Sequence, residues 1–180
     1  IVSCALSSCA TAPRVAPVPP AGQISPPPQT VGPRNDVFHV VAPGETLWRI
    51  SKMYNVPMDD ILRANSLKDK ETLKKGQRLL VPRAAPLTPV VALFPSHKWK
   101  YIVIHHSGTG EGNSLDFDKY HNSKGWKGVG YHFIVDNGSK GKHDGQIEVS
   151  PRWIKQQDGA HCQAGGMNSS GIGICLVGNF

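Results

Sequence analysis

The stretch that decides the fold is KYIVIHHSGT, from Lys100 to Thr109. Tyr101, Ile102, Val103 and Ile104 form an apolar, β-branched run of strand length. The run ends in His105 and His106 and opens into a small polar loop, Ser107-Gly108-Thr109. A strand that carries imidazole at its C-terminal end fixes the ring on a rigid element, and the loop beyond leaves room for substrate. That is one way to build a metal or catalytic site in an α/β sheet. A pair of satisfied structural histidines is the other meaning of the same residues.

Working outward, VGYHFIV (129–135) reads as a second strand and GIGICLVGNF (171–180) as a third. A helical stretch, Leu115 to Asn122, lies between the first two, and GAHCQAGGMNSS (159–170) precedes the third. The segments IHHSGT, GWKGVGYHFIV, GAHC and SSGIGICLVGNF, in this order, resemble the zinc-dependent N-acetylmuramoyl-L-alanine amidases, among them bacteriophage lysozyme-amidases and animal peptidoglycan-recognition proteins. The resemblance spans residues 99–180. It implies an α/β amidase domain, an α+β mixed sheet with helices, incomplete at its C-terminus.

The reaction of that family cuts the amide between N-acetylmuramic acid and the L-alanine of the stem peptide. Zinc with three protein ligands and one open position lowers the pKa of its water to roughly 7 and polarises the carbonyl. The resemblance implies that His105 is a metal ligand. It implies that the Tyr131 hydroxyl orients the water or stabilises the tetrahedral intermediate. His161, with Ser107 and Thr109, is implied to line the substrate cleft. His106 and His132 read as structural and as lying on the opposite strand face, and His121 reads as structural beside Trp126. His143, among Lys140, Lys142 and Asp144, reads as an exposed loop residue. A cytosolic branch of the family carries glutamate where this chain has Cys175, a departure that favours the tyrosine-using branch. The remaining ligands and a catalytic lysine are expected beyond the strand that ends at Phe180, so the 180-residue chain as given is expected to be inactive. The alternative is a wall-binding protein that holds muropeptide without cutting it.

Ahead of this domain, FHVV (38–41) reads as a short strand and Pro43-Gly44-Glu45 as a turn. Thr46 then caps a helix with Leu47, Ile50 and Met53 or Tyr54 on its apolar face. Asn55-Val56-Pro57 breaks it. A second helix starts near Met58, places Asp59 and Asp60 in its first turn and buries Ile61, Leu62 and Ala64. Gly76 to Pro82 returns as a strand, closing a small βααβ unit. HVVAPGETLWRISKMYNV, ILRANSL and LKKGQRLLVP resemble a LysM domain, a binder of N-acetylglucosamine-containing glycans. The resemblance implies that Gly44, Glu45, Thr46 and Leu47, with Asn65, Ser66 and Leu67, line a shallow glycan groove. Trp48 either stacks on sugar or covers the core.

The whole chain has 180 residues, a net charge of +7, 39% hydrophobic and 18% charged residues and 15 prolines. An anionic partner such as a cell-wall polymer or membrane surface suits that charge. No basic cluster interleaved with aromatics is present, so nucleic acid is not expected. IVSCALSSCA reads as a signal-peptide remnant over 1–8, with Leu6-Ser7-Ser8-Cys9 resembling a lipobox whose Cys9 is lipidated. An ordinary signal peptide is the competing meaning. Prolines 13, 17, 19, 20, 26, 27, 28 and 33 make 9–36 a tether that reaches on the order of 80 Å in extended form. The expected order is therefore remnant 1–8, tether 9–36, LysM domain 37–82, linker 83–98 and amidase domain 99–180. The apolar residues of the linker, Leu87, Val90, Val91, Leu93 and Phe94, imply that part of it packs on the second domain. The expected cofactor is Zn2+, the partners are peptidoglycan and a membrane through Cys9, and the location is the cell envelope. Spacing leaves open whether Cys162 and Cys175 are bonded.

Overall fold

The computed structural model describes residues 32–69 and 73–180, so the readings at Cys9 and along most of the tether lie outside it. Residues Gly32–Phe180 form one compact unit. Its first part is β1 (Asn35–Val40), α1 (Leu47–Tyr54), α2 (Met58–Ala64) and β2 (Arg78–Ala84). The two strands are antiparallel, with Val37 opposite Val81 and His39 opposite Leu79. Thr46 is extended and its hydroxyl accepts from the Arg49 N–H at 3.3 Å, the N-cap that its side chain allows. Asn55 ends α1 in the left-handed region at φ 49°. Leu47, Ile50, Met53, Tyr54, Val56 and Ile61 pack on Leu79 and Val81 of the ribbon. Ala64 is exposed, against expectation, because it falls on the outer side of the last turn of α2.

The second part contains β3 (Tyr101–His106), α3 (Ser114–Ser123), β4 (Phe133–Asn137), β5 (Asp144–Val149), α4 (Pro151–Ile154), α5 (Met167–Ser170) and β6 (Gly171–Leu176). The sheet order is β3-β6-β4-β5. β6 runs parallel to both neighbours and β5 antiparallel to β4. Residues 129–132, expected as strand, are a loop. The Ala160 N–H donates to the Gly130 carbonyl at 2.9 Å, a partner outside the sheet, while the His132 N–H still bonds the Gly173 carbonyl of β6 at 2.8 Å. The sequence reading contains no strand at 144–149, where Gly145 and polar residues dilute the β pattern.

Alternation divides the sheet into two faces. Val103 and His105 share one face with Gly173, Cys175, Ile134 and Glu148, as the pairing register shows. Phe117 of α3, Val129 and Val177 close a small core over Ile134 and Cys175. Ile102 and Ile104, on the other face, are 66% and 67% exposed.

A buried polar group ties α3 to this sheet. Glu148 accepts from the Ser114 N–H at 2.6 Å and the Ser114 hydroxyl at 2.8 Å, and pairs with Lys142 at 2.8 Å. Asp136 is 2% exposed, and among the described residues neither oxygen of its ionised carboxylate finds a donor. Burial first, and then the charge of Glu148, pushes its pKa up to about 8. The folded state therefore keeps a proton that the unfolded chain loses near the usual value of 3.8, and stability falls as pH rises from about 4 to about 8. Asp136→Asn should flatten that slope and raise the melting temperature at pH 8, by roughly 2–4 °C for each kcal/mol recovered. Thermal melts of both proteins across this pH range check it; a parallel pair of curves refutes the assignment.

Candidate active site

His105 occupies the second half of β3, opposite Cys175 of β6. Facing it is His161, delivered by the loop 159–162. That loop is held by Asn168, whose side-chain oxygen accepts from the His161 and Cys162 N–H groups, both at 2.8 Å. The Gly159 N–H donates to the Asn168 carbonyl at 2.7 Å. His105 Nε2 lies 3.1 Å from His161 Nδ1, and His161 Nε2 lies 3.3 Å from the Gly171 carbonyl. A carbonyl only accepts, so these partners assign the proton of His161 to Nε2 and leave Nδ1 to accept from His105. Burial, with the nearby charge of His106, lowers the pKa of His105, and burial lowers that of His161. Both rings are therefore neutral at pH 7, the form in which imidazole binds a metal or takes a proton.

The His161 ring lies flat over Gly173 and against Gly159, where an added Cβ would overlap the imidazole. The two glycines are the space the ring occupies. Gly173→Ala should displace His161, break its bond to His105 and destabilise the domain by about 1–3 kcal/mol. Denaturant unfolding and the loss of the His105–His161 contact in ring NMR spectra check this outcome.

Tyr131 stands with its ring centroid 5.4 Å from that of His105 and 6.4 Å from that of His161. It packs against the core that holds Cys175, and burial followed by the Cys175 thiol pushes its hydroxyl up to about 12. The phenol keeps its proton and acts as a hydrogen-bond donor. Tyr131 also lines a cleft of about 440 Å³ together with Ser107, Thr109, Phe117, His121 and Trp126. Ser107 and Thr109 hydroxyls lie 2.9 Å apart there, and Ser107 accepts from the Gly178 N–H at 3.0 Å. His121 accepts from the Gly130 N–H at 3.1 Å and stacks on Trp126 at 4.8 Å. Tyr120, Glu111 and Asp116 complete the rim. Sequence reasoning missed these wall residues. The available signal was the spacing of Asp116, Phe117, Tyr120 and His121, which puts all four along one side of a helix.

His106 and His143 stand apart from this group, whereas His132 packs edge-on against His161 at 5.7 Å and is not turned to an opposite face. His132 is fully buried, accepts from the Gly173 N–H at 2.9 Å and faces the Gln157 carbonyl at 3.0 Å; burial takes its pKa down to about 4. His106 is exposed and accepts from the Phe180 N–H at 3.3 Å. His143 is exposed in the β4–β5 turn. Cys162 and Cys175 are free thiols. Among the described residues no three His, Cys, Asp or Glu side chains converge as a metal site. The neutral imidazole of His105 is chemically suited to zinc, whereas both ring nitrogens of His161 are engaged with His105 and Gly171, so the two do not form a shell.

In the first part, Gly44, Thr46 and Ser66 are exposed, and Trp48 is 52% exposed beside them in sequence. Leu47 is core. The Glu45 carboxylate faces inward: it bonds His39 Nε2 at 2.7 Å, the Ala42 N–H at 3.0 Å and Arg49 at 2.5 Å. Burial alone would raise its pKa, but the hydrogen bond and charge of His39 and the charge of Arg49 hold it at about 2. Asn65 is partly buried and spends its amide on the Ile61 and Leu80 carbonyls and the Leu80 N–H. Leu67 packs at the edge of the core.

Residues 39–82 match the LysM domain family and residues 95–180 match the N-acetylmuramoyl-L-alanine amidase family. The endolysin of Klebsiella phage KP32 is 37% identical over 62 residues, 34% of this chain and 34% of the phage protein. The endolysin of Escherichia phage T7 is 32% identical over 82 residues, 44% of this chain and 48% of its own length. The chain thus spans less than half the length of these curated relatives. Among solved structures, the amidase LysC from Clostridium intestinale is 32% identical over 46% of this chain and 49% of that one, with a TM-score of 0.38. Bumblebee PGRP-SA is 27% identical over 47% of this chain and 50% of its own, with a TM-score of 0.37.

Proposed function

We propose, for a chain that carries a LysM domain at 39–82 followed by a domain of the N-acetylmuramoyl-L-alanine amidase family at 95–180, that the protein is a peptidoglycan hydrolase. It cleaves the amide between N-acetylmuramic acid and L-alanine, and its LysM domain holds the glycan. One observation carries the reading: His105, His161 and Tyr131 converge beside an aromatic cleft, with both imidazoles neutral and the phenol protonated.

In this reading His105 is a zinc ligand, and zinc when bound supplies an activated water and a polarised carbonyl. His161 orients the His105 ring and borders the substrate. Tyr131 donates a hydrogen bond to the oxyanion that forms on the scissile carbonyl. Ser107 and Thr109 present hydroxyls to the substrate along the cleft. In the LysM domain, the backbone of Gly44 to Leu47 and of Asn65 to Leu67 reads N-acetyl groups, since the side chains of Glu45 and Asn65 are committed internally. The location is the cell envelope, with lipidated Cys9 as the anchor.

Where a protein of this family holds zinc through the residue at this position, His105→Ala should abolish both zinc retention and release of L-alanine-headed peptides from murein. Tyr131→Phe should retain zinc and lower turnover about 10²–10³-fold, the usual cost of one lost transition-state hydrogen bond. Metal analysis beside a murein-release assay checks both, and equal zinc in the wild type and His105→Ala removes His105 from the shell. The 180-residue chain itself should co-sediment with peptidoglycan, bind zinc poorly and release no peptide. Loss of pull-down from folded protein at low salt removes the glycan-binding reading. Labelling with a fatty-acid analogue should be lost in Cys9→Ala and kept in Cys4→Ala.

A further inference from the structure

The linker between the two domains is pinned from both sides. On its LysM side, the Ala85 and Thr88 N–H groups donate to the Tyr54 and Met53 carbonyls, both at 2.9 Å, and Leu87 and Val90 pack on the LysM core. Arg49 Nε donates to the Val90 carbonyl at 2.8 Å. On the other side, Trp153 Nε1 donates to the Ala92 carbonyl at 2.7 Å, and Phe94 packs edge-on against Trp153 at 5.8 Å. Val91 alone separates the two pinned residues, and a span of two residues reaches at most about 7 Å. While these contacts hold, the linker has no slack.

Direct contacts cross the same junction. Arg49, 7% exposed, spreads its guanidinium over Glu45 of its own domain, the linker carbonyl of Val90 and, at 2.9 Å, the Ile147 carbonyl of β5. Lys142, 6% exposed, reaches the other way, from the β4–β5 turn to the Val40 carbonyl at 3.0 Å, while pairing with Glu148. Lys75 pairs with Asp118 of α3 at 2.7 Å, and a Cβ at Gly44 would lie 3.0 Å from Pro151. These contacts fall on β5, α3 and α4, a surface broad enough to oppose rotation as well as separation.

We infer that the LysM domain is clamped on the amidase-family domain in a single orientation, with Arg49 and Lys142 as the clamp and residues 85–94 as a splint. A targeting module on a free tether samples many positions at an effective concentration set by linker length. A clamped one presents its ligand at one fixed offset. For the function proposed above, on which this consequence rests, a glycan held at Gly44–Leu47 enters the cleft lined by Tyr131 in one register. The docking itself does not depend on that function.

The test uses the full chain without glycan, so it reads docking whether or not the protein hydrolyses murein. Residual dipolar couplings of backbone amides, measured in a weakly aligning medium, should fit one alignment tensor for residues 35–84 and 101–176 together. Two unrelated tensors for these spans in the wild type would overturn the clamp. The variant Arg49→Ala, Lys142→Met, combined with Glu45→Gln and Glu148→Gln so that no buried carboxylate is left without its cation, should keep the secondary-structure shifts of each domain and separate the tensors. A single tensor in that variant would remove Arg49 and Lys142 as the clamp. If the variant fails to fold, the wild-type tensors decide the orientation claim.

Discussion

The structure depends most on one buried carboxylate, Glu148. Its oxygens receive the N–H and hydroxyl of Ser114 and the ammonium of Lys142. Through Ser114 it satisfies a backbone donor in the first turn of α3 and places negative charge at that helix N-terminus. Through Lys142 it reaches the LysM ribbon at Val40. A buried charge in this position is tolerated because all its partners are in place; removing one would strand the rest, a loss of several kcal/mol in comparable buried pairs. The helix it anchors carries Phe117, Tyr120 and His121, so the cleft wall is set by a residue that never touches the cleft.

Much of this was legible in the sequence, and the reasons differ by region. α1 could be read because its information is local: a Thr cap, apolar residues at helical spacing and an Asn that accepts the left-handed conformation. β3 and β6 could be read because both are short apolar runs, although only the structure reveals that β6 lies between β3 and β4. The loop 129–132 was misread as strand because its residues have strand character. What keeps Gly130 out of the ladder is the bonding of its carbonyl to Ala160 and of its N–H to His121, distant in sequence, while His132 still reaches Gly173 of β6. β5 escaped notice for the opposite reason. DGQIEV lacks an apolar pattern because Glu148 and Gln146 point inward to partners that composition cannot reveal.

The candidate site shows the same division. His105 and Tyr131 stand out by motif, but their chemical states are set by the surroundings. Burial keeps the imidazoles neutral and the phenol protonated; the lone pair of His161 is taken by His105, and Tyr131 supplies a hydrogen-bond donor beside the cleft. His161 was readable only as a residue near substrate. Its position over Gly173 and its bond to His105 follow from the missing side chains of two glycines and from the turn held by Asn168. In the LysM domain, Glu45 illustrates the reverse case. Its place in the turn suggests ligand contact, while His39, Ala42 and Arg49 consume its lone pairs.

The commitment of Glu45 explains why Arg49 can serve the domain junction. An arginine buried beside carbonyls alone would carry an uncompensated charge, which costs far more than two neutral hydrogen bonds return. With Glu45 ionised at its side, the guanidinium is already neutralised within its own domain. Its remaining N–H groups are then free to bond Val90 and Ile147 without stranding a charge. Lys142 follows the same rule from the other domain: Glu148 neutralises it and the Val40 carbonyl takes another of its donors. Each domain thus supplies a cation whose counter-charge stays at home, and the junction itself is built from charge-assisted bonds to backbone carbonyls. Such bonds fix direction as well as distance, which is what holding one domain against another in one orientation requires.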